Sequence, residues 1–387
     1  MKAAFLISIV FMSLGCSTVV RTTLPFNDLP APSGPFGVGT QIETWADASR
    51  PEAFTAKAND IRRIVVQVWY PTIAKNEISQ PYVTQPDKRM RPFAKSMGLP
   101  RFLVDHIREV QTHSALNAPL HPEIEKFPLL IFSHGLGGMK SQNMIQAEEF
   151  ASLGYVVVSA DHAYDAYLTI FEDGTTADYR SGSDGITNEE EFWAARTPQL
   201  ATRAADVSFM LDVIKQATSS AKNDKIAIDT NPLWQRVDLT KVGLFGHSFG
   251  GATTIVTIDQ DPRIRAGVAL DGWMVPVPEQ LINKGMQKPL LYLGQEHWDE
   301  PLNYEKLAAF EANSAGRVRS EILVGTKHMD FADAPHLSSF ARRVGFAGSM
   351  PSEELRKTLN QRLLSFFSEH VGKPAGVLET STTAASK

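Results

Sequence analysis

Three residues far apart in a chain of 387 carry side chains that together can perform acyl transfer: Ser248, Asp271 and His328. A serine hydroxyl is a weak nucleophile until a base takes its proton, and the base works best when an acid orients it. Ser248 lies in Gly246-His247-Ser248-Phe249-Gly250, between the apolar run 242–245 and the helix-favouring stretch 251–256. A strand, a serine with glycines at minus two and plus two, and a helix start form the sharp turn that lifts a serine above a sheet. Such a turn strains the serine backbone and leaves no room for side chains at the flanking positions.

The acid and the base of such an arrangement come later in the chain, after later strands. Residues 266–270 are apolar and run into Asp271-Gly272-Trp273, and residues 321–324 read as a strand running into Gly325-Thr326-Lys327-His328. Glu296 and Asp299, after the apolar residues 289–293, and Asp330, beside the histidine, compete for the role of acid. Asp271 is preferred because it follows an apolar strand directly, between Leu270 and Gly272, where burial beside an imidazole is natural. Attack on an ester also creates an oxyanion, which needs two preorganised N–H donors. Phe249, just after the nucleophile, offers one backbone donor, and Leu136, in Ser133-His134-Gly135-Leu136-Gly137-Gly138, offers the other. His247, Trp273 and His134 are expected to line the pocket, and His162, which follows the strand 155–160, to line or support it. No H-x-H, H-E-x-x-H or C-x-x-C spacing occurs, so the chemistry calls for no metal or cofactor.

The elements that must position these groups are legible as periodicity. Strands are predicted at 61–70, 127–132, 155–160, 242–245, 266–270, 289–293 and 322–324, and helices at 99–110, 141–153, 198–215, 249–258 and 351–370. Short, nearly all-apolar strands alternating with helices imply the α/β class, a mostly parallel central sheet with helices on both faces. Segments 80–100 and 164–191 are too polar or too proline-rich for core and read as surface excursions, the second lying over the strand ends. A hydrophobic content of 43% supports a sizeable core, and a net charge of -5 gives no field to attract nucleic acid.

The chain opens with Met1-Lys2, an apolar stretch 3–14 and Cys16, its only cysteine. This is the layout of an export signal, and Ser13-Leu14-Gly15-Cys16 resembles a bacterial lipobox, Ser13 departing from the commoner aliphatic residue. The expectation is an exported, monomeric envelope lipoprotein held to a membrane by lipid on Cys16. Residues 1–16 then form the signal, 17–55 a tether and lead-in, 56–373 the catalytic domain and 374–387 a disordered tail.

The motifs around residues 132–137, 246–253, 269–274 and 328–333, in that order, resemble the platelet-activating factor acetylhydrolase family of the plasma and intracellular monomeric type. That resemblance implies the α/β-hydrolase fold and metal-independent hydrolysis of short or oxidised sn-2 acyl groups from phospholipids. It also implies Ser248 as nucleophile, Asp271 as acid in preference to Asp299, His328 as base, and Leu136 and Phe249 as oxyanion donors. The membrane-docking helix of the animal members has no clear counterpart motif, although 99–110 lies in about the right place.

Overall fold

Val, Ile, Leu and Phe dominate the short strands, and β-branched and aromatic side chains pack well on a pleated surface. The computed structural model describes residues 19–57, 59–74, 79–219, 232–338 and 340–375. Cys16 with the segment before it, and the tail from 376, lie outside them. The strands are β1 (Gly37–Pro51), β2 (Ile61–Thr72), β3 (Ser79–Pro81), β4 (Gln111–Leu116), β5 (Phe127–Ser133), β6 (Val156–Asp161), β7 (Leu168–Ile170), β8 (Thr176–Asp178), β9 (Val237–His247), β10 (Ile264–Leu270), β11 (Leu290–Gly294) and β12 (Val318–Ile322). Among the described residues ten of them form one sheet in the order β12-β11-β10-β9-β5-β6-β2-β1-β4-β3, and β7 and β8 make a separate hairpin. From β12 to β6 all neighbours are parallel. β2 then pairs antiparallel with both β6 and β1.

The longer helices are α1 (Pro86–Ser96), α2 (Met144–Leu153), α3 (Glu189–Ser219), α4 (Phe249–Gln260), α5 (Leu302–Asn313) and α6 (Ser352–His370). One face of the sheet is covered by α3 and α4, through Leu200, Val207, Leu211, Ile255 and Ile258. The other is covered by α2 and α6, through Ile145, Phe150, Leu359 and Phe367. With both faces buried the central strands need no polar side, which is why β5 and β6 are buried at every position. This is the α/β-hydrolase architecture expected from the sequence.

Three expectations shift. The last strand is β12, Val318–Ile322, and not 322–324: it is an edge strand paired only with β11, from Leu290↔Val318 to Gly294↔Ile322. Its polar residues Arg319, Ser320 and Glu321 conceal it from an apolar-run search, while Val324 is 70% exposed. The helix expected at 99–110 breaks into a turn of α-helix (Arg101–Val104) and a 3-10 segment (Asp105–Glu109). The lead-in expected through residue 55 contains β1, which pairs with β2 on one side and β4 on the other. Small residues, Gly37, Gly39, Thr40, Thr44, Ala46 and Ala48, leave it few large apolar side chains to mark the strand.

Glu148 ties α2 to β4. Its Oε1 accepts from the His113 N–H at 2.7 Å and from Ser114 Oγ at 2.5 Å, and its Oε2 is buried without a partner. Desolvation pushes its pKa up to about 7, although the bonds from Ser114 and His113 favour the charged form. A carboxyl whose folded pKa lies above its unfolded value stabilises the fold below the unfolded pKa and loses that contribution as pH rises through the folded one. Between pH 4.5 and 7 the native protein is therefore expected to lose stability that a Glu148→Gln variant keeps. Urea titrations at pH 5 and pH 8 check this: the wild type should fall relative to the variant by on the order of 2 kcal/mol.

Candidate active site

β9 runs into α4 through a single residue, Ser248, whose φ of 58° and ψ of -119° are those of a strained turn. The Ser248 N–H donates to the Leu270 carbonyl at 3.0 Å, and its own carbonyl accepts from the Trp273 N–H at 2.9 Å. The turn is thereby pinned to the end of β10. A Cβ at Gly246 would lie 2.1 Å from the Gly250 carbonyl oxygen, and one at Gly250 would lie 1.9 Å from that of Ser133. Both glycines are required by close backbone approach.

Asp271 follows β10 directly, is fully buried and has a φ of 43°. Its Oδ2 accepts from His328 Nδ1 at 2.6 Å. Its Oδ1 accepts from the Gln295 N–H and from Trp298 Nε1, each at 3.0 Å. Three donors on one buried carboxylate fix its plane. The Trp298 ring also meets the His328 ring edge-on, with centroids 4.9 Å apart. The histidine side chain is 33% exposed on its other side. Of the competing acids, Asp299 is exposed on the surface. Glu296 accepts from the Gly325 N–H at 2.8 Å, and Asp330 accepts from Lys327 and Gly348 N–H groups at 2.7 and 2.6 Å. Glu296 and Asp330 shape the histidine loop; neither bonds the imidazole.

The loop after β5 lies against Ser248: a Cβ on Gly135 would be 3.2 Å from Ser248 Cβ. Among the described residues the N–H groups of Leu136 and Phe249 donate to no other group, and neither does Ser248 Oγ. The Gly135 N–H donates to Gln142 Oε1 at 2.9 Å, and Gln142 Nε2 donates to His247 Nδ1 at 2.7 Å. His247 Nε2 lies 3.0 Å from the His328 carbonyl oxygen, an acceptor only, so Nε2 carries the ring proton and Nδ1 accepts. Burial, then the neighbouring His328, holds His247 well below the usual histidine range, which keeps it in this neutral tautomer. His134 is likewise buried, its pKa pushed down to about 3 by desolvation and the charge of Arg203. His134 Nδ1 donates to the Gly135 carbonyl at 2.6 Å, and its Nε2 accepts from the His162 N–H at 3.3 Å. His162 spans Asp206 at 2.9 Å and Ser133 Oγ at 3.1 Å.

His134 and His247 thus support the loops and do not line open space, because each ring nitrogen is already committed within a buried network. Trp273 is half-buried, and the Phe192 ring (5.6 Å) and the Phe249 ring (6.0 Å) pack on it. Tyr179, from the polar excursion 164–191, lies against Gly137. Sequence reasoning missed Gln142 and Trp298: Gln142 gains its role by joining the Gly135 loop to His247, 105 positions on, and Trp298 by bonding Asp271, 27 positions back, and nothing local marks either. Among the described residues no cluster of three His, Cys, Asp or Glu could hold a metal ion, and no helix is long and apolar enough to cross a membrane.

Residues 22–377 match the family model described as platelet-activating factor acetylhydrolase, isoform II. The chain belongs to that family. Among curated relatives it is 26% identical over 375 residues to the platelet-activating factor acetylhydrolase of Cavia porcellus, spanning 92% of this chain and 81% of the relative. It is 29% identical over 302 residues to that of Bos taurus, 71% of this chain and 66% of the relative. A solved ferulic acid esterase from Streptomyces cinnamoneus superposes with a TM-score of 0.71 at 25% identity, covering 92% of this chain and 97% of that one. Family and fold make the chain an ester hydrolase.

Proposed function

We propose that the protein hydrolyses carboxylic esters through an acyl-serine intermediate, with Ser248 as nucleophile, His328 as base and Asp271 as its orienting acid. The observation that carries this is the 2.6 Å bond from His328 Nδ1 to a buried carboxylate, with the His328 ring 4.5 Å from that of His247, the residue before a serine held at a φ of 58°. Nδ1 must be protonated to donate, so Nε2 is left free to accept the Ser248 proton. The serine–histidine bond is often long until substrate tightens it. Ser248 Oγ attacks the carbonyl carbon while His328 takes its proton, and Asp271 stabilises the imidazolium that forms. The oxyanion is received by the unpartnered N–H groups of Leu136 and Phe249. Collapse expels the alcohol, protonated by His328; water, activated by the same histidine, then releases the acid and restores the serine.

The substrate class follows from the family: phospholipids bearing a short or oxidised sn-2 acyl group. A second substrate class, esters of aromatic acids such as the ferulic acid for which the similar esterase is named, is favoured by aromatic rings at the triad: Phe192 packs on Trp193 and Trp273, and Trp298 packs on His328. Hydrolysis of an sn-2 acetyl phospholipid, its long-chain sn-2 analogue and methyl ferulate, with chelator present, separates them. The expected result is strong preference for the acetyl phospholipid. If methyl ferulate is turned over and both phospholipids are inert, the lipid assignment fails and the aromatic one stands. Lipid attachment at Cys16 and a monomeric state belong to the same proposal and rest on the motif and the family. A Cys16→Ser variant that stayed in the membrane fraction would overturn the anchor.

A further inference from the structure

The two backbone donors proposed for the oxyanion come from different elements, the loop after β5 and the start of α4. Something must hold them in register, because a hole misplaced by a fraction of an ångström loses most of its effect. Arg203, on α3, is fully buried between them. Its Nη1 donates to the His134 carbonyl, and its Nη2 donates to the Gly135 carbonyl at 3.1 Å. Its guanidinium carbon lies 5.0 Å from the centroid of the Phe249 ring. One side chain therefore touches both halves of the hole.

The peptide between Gly135 and Leu136 is decisive. In a trans peptide the C=O and N–H point in opposite directions. The Gly135 oxygen is held by Arg203 Nη2 together with His134 Nδ1 and the Gly138 N–H, which turns the Leu136 N–H away from Arg203, and that N–H has no partner among the described residues. A cation on the carbonyl also polarises the amide and makes its N–H a stronger donor. The guanidinium itself is fixed by Asp165, whose Oδ2 accepts from Arg203 Nε and whose Oδ1 accepts from Gln199 Nε2 at 2.9 Å. The Asp165 carbonyl meanwhile accepts from the Gly137 N–H at 3.1 Å. Backbone and side chain of one aspartate thus hold the loop and its clamp together.

We propose that Arg203, seated by Asp165, is the positioning residue of the oxyanion hole, an inference that rests on the assignment of Leu136 and Phe249 as its donors. Lysine at position 203 keeps the charge but cannot span two carbonyls and a carboxylate with a planar fork. Arg203→Lys is therefore expected to lower kcat for a short-chain oxygen ester by about 10²-fold, the scale of one lost oxyanion donor, with KM nearly unchanged. The readout that a merely structural role would not move is the rate ratio between that ester and its thionoester. Sulfur accepts hydrogen bonds weakly, so the thionoester draws less from the hole and should slow far less.

A fallen ester-to-thionoester ratio supports the clamp; equal slowing of both substrates overturns it. Should Arg203→Lys not fold, Gln199→Leu loosens Asp165 from outside the pair and is expected to lower the same ratio by a smaller factor. An unchanged ratio there overturns the clamp as well. Ser248→Ala is assayed alongside: its retained activity would sink the nucleophile assignment, whereas its inactivity beside an unaltered ratio in Arg203→Lys sinks only the clamp.

Discussion

Ser248→Ala should abolish ester turnover while leaving the fold intact. Removing such a nucleophile costs about 10⁶ in kcat, because base and acid are useless without it. The fold survives because the strained φ of 58° is imposed from outside the side chain: by the Ser248 N–H on Leu270, by its carbonyl on Trp273, and by glycine on both flanks. Ser248 Oγ makes no hydrogen bond among the described residues, so alanine breaks none. The change relieves nothing and removes one oxygen. Matching urea midpoints for variant and parent, with an assay sensitive to a million-fold loss, check both halves. Activity within tenfold of the parent would overturn the mechanism.

Asp271→Asn should cost about 10⁴ in kcat, the scale found when an orienting carboxylate is made neutral and the histidine settles in the wrong tautomer. The reason is specific to the donors around it. Oδ2 receives His328 Nδ1, and Oδ1 receives both the Gln295 N–H and Trp298 Nε1. An amide has one acceptor oxygen and one NH₂ group. If the oxygen stays with Gln295 and Trp298, the NH₂ faces His328 Nδ1 and drives the ring proton to Nε2, where the serine proton must go. If the amide turns the other way, two buried donors are confronted by a third, which costs stability. Either way turnover falls, and the pH–rate profile decides between them: the first arrangement should give rates that recover as alkali assists loss of the Nε2 proton. A variant with full activity near neutral pH would remove Asp271 from the mechanism.

What could be read from the sequence divides along physical lines. The turn at Ser248 was legible because backbone strain and close approach exclude every residue but glycine at two fixed positions, and such exclusions leave a mark in a short window. Asp271 and His328 were legible as polar residues after apolar strands, although the strand before the histidine ends at Ile322, earlier than its apolar residues suggest. An edge strand paired on one side can carry Arg319 and Glu321, and an apolar-run search looks past it. β1, paired with β2 and β4, escaped because glycine, threonine and alanine recur along it and leave few large apolar side chains. Gln142, Trp298 and Arg203 were invisible because an amide, an indole and a guanidinium on ordinary loops and helices gain meaning only from what faces them. His134 and His247 were placed near the chemistry, but their ring nitrogens turned out to be spent on carbonyls and amides, a fact of packing that no window of sequence contains.

The change of strand direction at β2 has a further consequence. Every loop that carries a group assigned to chemistry leaves the parallel portion of the sheet, after β5, β9, β10 or β12, while β1, β3 and β4 lie beyond the antiparallel boundary and contribute none of those groups. Selection on catalysis therefore presses unequally on the two portions. Substitutions in the outer strands touch none of those groups, so their expected cost falls on stability and not on turnover. Divergence among members of such a family can be deep at one edge of the sheet and shallow at the other, and low overall identity is then a poor guide to how little the reaction centre has changed.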